Sequence, residues 1–347
     1  MINPVTQQNS RREFFQRIFM PAEPSDSLEP NGRRNAITLT DRQKASRFLA
    51  QATLGANIEL IDYVAEIGPE AWIDEQCDIE PNSLLEYMST KEIYDLTDWD
   101  ERREYPLEKH FRYALWEDIM RGEDLLRQRV ALALSEIFVI STVKSDINKV
   151  ANGVASWFDM LKKHAFGNFR DLLGDVTLSP IMGNYLSHAK NQKELRITVE
   201  NEDGDDEEIV KRFPDENYAR EIMQLFTIGL FLLDEYGEEV LDENSDPIPT
   251  YDNDHITRLA RIFTGLGYNH EGDPHDTIDD GTPNFEFTHL NPYTAERPLI
   301  MFADEHEPEC QRVFTDEPCV NLLETDPEAS PEDRSEERRV GKECRSR

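Results

Sequence analysis

The sequence predicts a mainly α-helical fold: a multi-helix single domain around one buried central helix, with two β-hairpin excursions. Three observations carry that expectation. Between residues 40 and 266 apolar residues recur at helical spacing, in segments opened by capping residues and closed by glycines. Residues Val130 to Ile140 are apolar almost all round, as in a helix with no solvent face. At Leu195-Arg-Ile-Thr-Val199 the period switches to alternation, the pattern of a half-buried strand.

Taken in order, Thr40-x-x-Gln43 forms a capping box ahead of Phe48 and Leu49, and Gly55 closes that helix. Asn57 caps a second, with Ile61, Val64 and Ala65 on one face and Gly68 as its stop. Pro69 stands where a first helical turn accepts proline, leading into Trp72 and Ile73. Leu107, Phe111, Leu115 and Ile119 recur every fourth residue and define a helix from Pro106 to Met120. The central helix is Glu123 to Ser141. Arg127 and Arg129 in its first half oppose the helix dipole and call for acidic partners.

Helices over Asn152–Lys163, Asn168–Leu178 and Ile181–Ser187 come after it. The first hairpin pairs Leu195–Val199 with Glu207–Lys211 across Asp203-Gly204. Seven of the nine residues Glu200 to Glu208 are acidic, so its tip must be solvated. A helix over Asp215–Leu230 comes next, then a second hairpin over Leu232–Thr250 turning around Asn244-Ser-Asp-Pro247. Asp254 caps a last helix, Ile256–Leu266. Beyond Gly267 periodicity fades, and no internal repeat is evident.

Residues 1–37 lack periodicity and read as a mobile arm, and residues 38–333 as the helical domain. Residues 334–347 read as a translated sequencing adapter, with the domain incomplete at its C-terminus. Asp and Glu number 71 against 37 Lys and Arg, a net charge of -34. Such a surface repels phosphates and anionic lipids, which excludes nucleic acid as a partner class. No apolar run reaches the ~18 residues of a membrane span. Ser10-Arg-Arg-Glu-Phe-Phe-Gln16 has a twin-arginine pair, but the polar, proline-broken stretch after it is no export signal, and localisation stays open. Scattered cysteines make no disulfide framework.

Chemistry concentrates in Pro214-Asp-Glu-Asn-Tyr-Ala-Arg-Glu-Ile-Met-Gln-Leu-Phe-Thr-Ile-Gly-Leu230. Asp215 is a natural N-cap, and Glu216 suits the positive helix end. Asn217, Arg220 and Glu221 fall at i, i+3 and i+4 on one side, with Gln224 a turn further. Leu225, Phe226, Ile228 and Leu230 are expected to bury the second half. Two readings stand. One is a carboxylate-rich pocket in which Glu221 is a general base or metal ligand, Arg220 holds an anionic group and Asn217 orients it. The other is a capped helix with intrahelical ion pairs. His255, His270, His275, His289 and His306 lie among Asp273, Asp276, Asp279 and Asp280. A divalent metal there is possible chemistry but not favoured, because no pair has the spacing of a zinc hydrolase. The nucleophile-elbow, phosphate-loop and Cys-x-x-Cys patterns are absent.

Several long motifs in order resemble a bacterial family known as domain-of-unknown-function family 1800. They include Arg47-Phe-Leu-x-Gln-Ala-Thr53, Leu126-Arg-Gln-Arg-Val-Ala-Leu-Ala-Leu-Ser-Glu-Ile-Phe-Val139 and Ala165-Phe-Gly-Asn-Phe-Arg-Asp-Leu-Leu173. Pro180-x-Met-Gly183, Asn191-x-Lys193, the Pro214 motif, Pro249-Thr-Tyr251 and Phe263-Thr-Gly265 complete them, and the resemblance covers residues 45 to 306. It implies no established reaction. It does imply recurrent polar positions at Asn168, Asn191, Asp215, Glu216, Asn217, Arg220 and Glu221. It also implies frequent export and a sulfatase-like neighbour as partner. The family's later His-Asp-x-Gly-x-Lys pattern stands here as His306-Glu-Pro-Glu-Cys-Gln311, so His306 is kept and the Lys is not. On these grounds the sequence points to an enzyme, most readily hydrolytic, with a carboxylate–Asn–Arg pocket, and as its rival a non-catalytic helical scaffold.

Overall fold

The computed structural model describes residues 40–90, 108–144, 146–200, 206–271, 285–286, 288–309, 311–314 and 320. The arm over 1–37, the tail over 334–347, the Asp203-Gly204 turn, His275 and the aspartates near it lie outside these residues. The described chain is mainly helical, with two small two-stranded antiparallel sheets. It packs as two compact units, Met1–Ile181 and Met182–Arg347. No described helix is long and apolar enough to cross a membrane.

In the first unit, helix α1 (Asp41–Ala52) opens on the Thr40–Gln43 capping box, with both reciprocal bonds formed. Helix α2 (Ile58–Ile67) is capped by the Asn57 side chain, which accepts from the Leu60 amide. Gly68, at φ 87°, ends α2 and starts α3 (Pro69–Asp78), whose first residue is the proline. Their apolar faces meet in a core of Phe48, Leu49, Val64, Trp72, Ile73 and Leu126. Phe48 sets its edge on Trp72, with centroids 5.5 Å apart, a favoured aromatic geometry.

Helices α4 (Leu84–Met88), α5 (Glu108–Arg121), α6 (Leu125–Ile137), α7 (Ala151–His164), α8 (Phe169–Leu178) and α9 (Pro180–Tyr185) continue the chain. The helix expected to lack a solvent face is α6. It buries Leu126 to Gln128 and Ala131, but the backbone leaves helical angles at Phe138, and Ile137 and Val139 open to solvent. Burial runs further along α7, from Ala151 to Ala155 and on to Trp157, Leu161 and Lys162. Arg127 donates to the carbonyls of Lys162 and Ile79 and lies over the Phe166 ring at 4.5 Å. Arg129 donates to the Gln51 carbonyl, where a carboxylate was expected. Carbonyls of other segments thus take donors that the α6 dipole disfavours.

A buried ionic cluster ties α5, α6 and α7 together. Lys162 Nζ lies 2.7 Å from Asp118 and 3.0 Å from Asp124, and all three side chains are almost fully enclosed. The sequence separations, 44 residues for the first pair, explain why no local pattern announced it.

In the second unit β1 (Leu195–Glu200) pairs antiparallel with β2 (Asp206–Arg212), as the alternation predicts. Its base is held by Glu194, which accepts from Arg196 and Arg261 at 2.5 and 2.6 Å. Helix α10 (Asn217–Glu221) runs into a π-helical turn, Ile222–Phe226. Helix α11 (Asn253–Ile262) opens on a capping box between Asp252 and His255, so the cap is Asp252 rather than Asp254. The short pair β3 (Leu266–Gly267) and β4 (Ile300–Met301) closes the unit. Ala219, Met223, Ile256 and Ala260 join α10 and α11 in one small core.

Candidate functional site

The polar stripe sits where the segment Ser187–Asn191 meets the start of α10. Asn191, 5% exposed, grips the backbone of Asp215 from both sides. Its Oδ1 accepts from the Asp215 amide at 2.7 Å, and its Nδ2 donates to the Asp215 carbonyl at 3.1 Å. Asp215 Oδ1 accepts from the Asn217 amide at 2.8 Å. It thus does capping chemistry from one residue before the N-cap position, which Glu216 occupies without a side-chain cap bond. Asn217 Nδ2 donates to the Leu186 carbonyl and the Ser187 hydroxyl at 3.3 and 3.4 Å. Ser187 and Lys190 both have positive φ, 62° and 66°, which costs an L-residue ~1–2 kcal/mol. Bonds on both sides hold this strained segment.

Along the stripe Glu216 bridges two elements. Its Oε2 pairs with Arg220 at 3.4 Å within α10, and its Oε1 accepts from Thr257 of α11 at 2.8 Å. Asp215 and Asn217 are exposed, whereas Glu216, Arg220 and Glu221 are half-buried. Glu221 differs from its neighbours: its Oε2 is buried and has no hydrogen-bond partner among the described residues. His306 is buried and its Nδ1 lies 2.7 Å from the Thr264 carbonyl. Asn168 belongs to the first unit, where its side chain caps α8 by accepting from the Arg170 amide. Among the described residues no group of three or more His, Cys, Asp or Glu is placed to hold a metal ion.

The second half of the motif departs from expectation. Phe226 and Met223 are buried, but Leu225, Ile228 and Leu230 are exposed at 61%, 47% and 46%. The π turn is the cause. The Thr227 hydroxyl donates to the Ile222 carbonyl, and both Ile228 and Gly229 donate to the Met223 carbonyl, with Gly229 at φ 76°. The helix therefore stops before the apolar run ends.

Beyond Leu230 the chain forms an arm whose internal repeat is not evident from periodicity. Leu232-Leu-Asp-Glu-Tyr-Gly-Glu-Glu239 and Val240-Leu-Asp-Glu-Asn-Ser-Asp-Pro247 are two copies of one eight-residue turn, continued by Ile248-Pro249. In the first, Asp234 Oδ1 accepts from the amides of Tyr236 and Glu238; in the second, Asp242 Oδ1 accepts from those of Asn244 and Asp246. These amides hold the Asp242 carboxyl below its usual range. Three backbone bonds close a ring: Leu232 N to Ile248 O, Val240 N to Leu232 O, and Ile248 N to Val240 O. The signal was the Leu-Asp-Glu pair at a spacing of eight, shorter than the periods of repeat architectures. The arm exposes Phe231, Leu232, Leu233, Tyr236, Val240 and Leu241. Between Arg220 and Arg258 there is no Lys or Arg, while Asp234, Glu235, Glu238, Glu239, Asp242, Glu243 and Asp246 are all acidic.

The left-handed position of each turn is Gly237, at φ 84°, and Ser245, at φ 68°. Ser245→Gly should therefore firm the arm. Relief of an L-residue's left-handed strain, ~1–2 kcal/mol, exceeds glycine's added chain entropy of ~0.5–1 kcal/mol. Amide exchange at Leu232 and Ile248 is expected to slow a few-fold, with the rest of the unit unchanged. Faster exchange there would show that the serine contributes more than its strain costs.

No curated protein and no solved structure matches the chain. A family description, "Protein of unknown function (DUF1800)", matches residues 47–318. That span contains the clamped α10 start, the ringed arm and both units' described helices except the first half of α1, and over it the chain belongs to the DUF1800 family.

Proposed function

We propose that this protein is a non-catalytic helical scaffold that docks a partner protein through the arm over residues 230–250. One observation carries the reading: a row of exposed large apolar side chains on a closed, hydrogen-bonded turn pair. Exposed apolar patches of this kind mark interaction sites. The carboxylates around it select a partner whose apolar groove has a basic rim. The stripe supports the same reading, because Asp215, Glu216, Asn217, Arg220 and Asn191 are spent on one another and on nearby backbone. By family analogy the partner is a sulfatase-like protein.

One observation favours the second reading, a hydrolytic enzyme with a carboxylate–Asn–Arg pocket. A buried carboxylate oxygen without a donor, as in Glu221, costs ~1–3 kcal/mol unless a ligand completes it. A single experiment separates the two. The purified sulfatase-like neighbour is titrated calorimetrically into wild type, Leu233→Ser/Leu241→Ser and Glu221→Gln. The scaffold reading expects the arm variant to bind at least tenfold more weakly, about 1.4 kcal/mol, and Glu221→Gln to bind as wild type. Wild-type turnover of nitrophenyl phosphate, sulfate or acetate, abolished in a stably folded Glu221→Gln, would establish the enzyme instead.

A further inference from the structure

The arm over residues 230–250 joins two kinds of surface. Leu233, Leu241 and Tyr236 stand out from it, Tyr236 at 82% exposure. All seven carboxylates between Asp234 and Asp246 are exposed beside them. An apolar surface set among charges of one sign is complemented by a segment that mixes large apolar side chains with cations.

The chain itself carries such a segment. Arg11-Arg-Glu-Phe-Phe-Gln-Arg-Ile-Phe-Met20, outside the described residues, has three Arg against one Glu, and five of its ten residues are large and apolar. Its charge is thus opposite to the -34 of the whole chain. Its twin-arginine pair lacks the apolar continuation of an export signal, so the aromatic and basic side chains call for another use. Nineteen residues separate Met20 from Thr40, where the described chain begins. Fully extended they span about 65 Å, some four times the ~15 Å radius of gyration of a compact domain of ~150 residues. Tethering on a linker of this kind gives an effective concentration of ~1 mM. A contact of only ~0.1 mM intrinsic affinity is then closed about nine-tenths of the time, which a second copy at micromolar concentration does not match.

We propose that Arg11–Met20 docks on the arm of its own chain, with Phe14, Phe15, Ile18 and Phe19 against the exposed leucines and Tyr236, and the arginines towards the carboxylates. The proposal rests on the reading of the arm as a docking surface and adds its regulation: the segment covers the surface until a partner displaces it. A partner then binds with an affinity reduced by the uncovered fraction.

The test is limited tryptic digestion of the full chain, followed by mass spectrometry. Cleavage after Arg17 reports the segment, and cleavage after Arg34 is the internal reference. A free peptide of residues 8–38 gives the ratio of the two cuts without the arm. In wild type the Arg17 cut is expected to be about tenfold slower, relative to Arg34, than in the peptide. Leu233→Ser/Leu241→Ser and the charge reversal Glu235→Lys/Glu239→Lys should restore the peptide's ratio. If either disturbs the fold by circular dichroism, Phe14→Ser/Phe15→Ser decides, since it changes only the segment. Dilution from about 50 to about 0.5 µM should leave the protection unchanged, as a tethered contact requires. A wild-type ratio equal to the peptide's, protection indifferent to these variants, or protection lost on dilution overturns the proposal; the last would assign the contact to a second copy. The two readings fail separately. A sulfatase-like neighbour that binds through the arm while Arg17 is unprotected leaves docking standing and removes the cover. Arm-dependent protection of Arg17 with no binding of that neighbour leaves the cover standing and removes the neighbour as partner.

Discussion

Lys162→Met is expected to lower the stability of the first unit by ~3–5 kcal/mol, the cost of breaking a buried ion pair by removing one partner. The substitution keeps most of the unbranched side chain and removes the only ammonium between Asp118 and Asp124 among the described residues. Two carboxylates then stay buried against each other. For a domain of this size the melting midpoint should fall on the order of 10 °C. The effect has a pH signature. A carboxylate whose folded pKa lies above its unfolded value weighs on stability once pH rises above the unfolded value, and fully so above the folded one. Asp118 already stands on that side, and loss of Lys162 moves it further. The deficit should therefore shrink as pH is lowered towards about 4, the unfolded carboxylate value, and adding Asp118→Asn should recover part of it at neutral pH. A deficit independent of pH, or none at all, would show that Lys162 stabilises through its packing on α7 rather than its charge.

Gly265→Ala is the largest effect expected in the second unit. Gly265 has φ 82°, and a Cβ would lie 2.8 Å from the Phe302 carbonyl, 2.9 Å from His306 Cβ and 3.0 Å from His306 Cα. No flexible side-chain end is among these neighbours. The same residue donates to the Asn191 carbonyl at 2.7 Å and accepts from the Phe302 amide at 2.8 Å. Backbone strain of ~1–2 kcal/mol and overpacking of ~1–3 kcal/mol add, so urea unfolding should show a loss of about 3 kcal/mol. Gly68→Ala is the matched comparison, because Gly68 has φ 87° and nothing within 4 Å of the added carbon. It should lose only the strain contribution. Equal losses at the two sites would remove the argument that close approach, rather than dihedral angle, requires glycine at 265.

Local chemistry made the helix starts readable. Thr40, Asn57 and Asn168 are caps whose side chains accept from nearby amides, and that information lies within three residues of each. The β1–β2 hairpin was readable from its alternation. What failed was end-point and long-range information. The run to Leu230 looked like buried helix because periodicity does not register a π turn, and Thr227 and Gly229 end the helix through bonds that only geometry reveals. Asp254 and Asp252 are equally good caps by type; the His255 side chain, bonded back to Asp252, decides between them. At the site, the grouping of Asp215 with Asn191 rested on resemblance, since nothing local to residue 191 marks a clamp on residue 215. The Asp118–Lys162–Asp124 cluster left no trace, because ionic contacts across three helices have no periodicity.

The closed ring in the arm also bears on solubility. Apolar segments with high strand propensity are hazardous when their backbone edges are free, since each edge templates another chain. Here each of the three segments is bonded to both others, through Leu232, Val240 and Ile248 and through the outer pairs Asp234–Glu238, Asp242–Asp246 and Leu230–Thr250. No segment is left as an outer strand. The arm therefore shows hydrophobic side chains to solvent while the backbone groups of Leu232, Val240 and Ile248 are tied to one another, out of reach of a partner that extends a sheet by adding a strand. That closure favours contact made side chain to side chain, and it removes those backbone groups from the edge on which a fibre would grow.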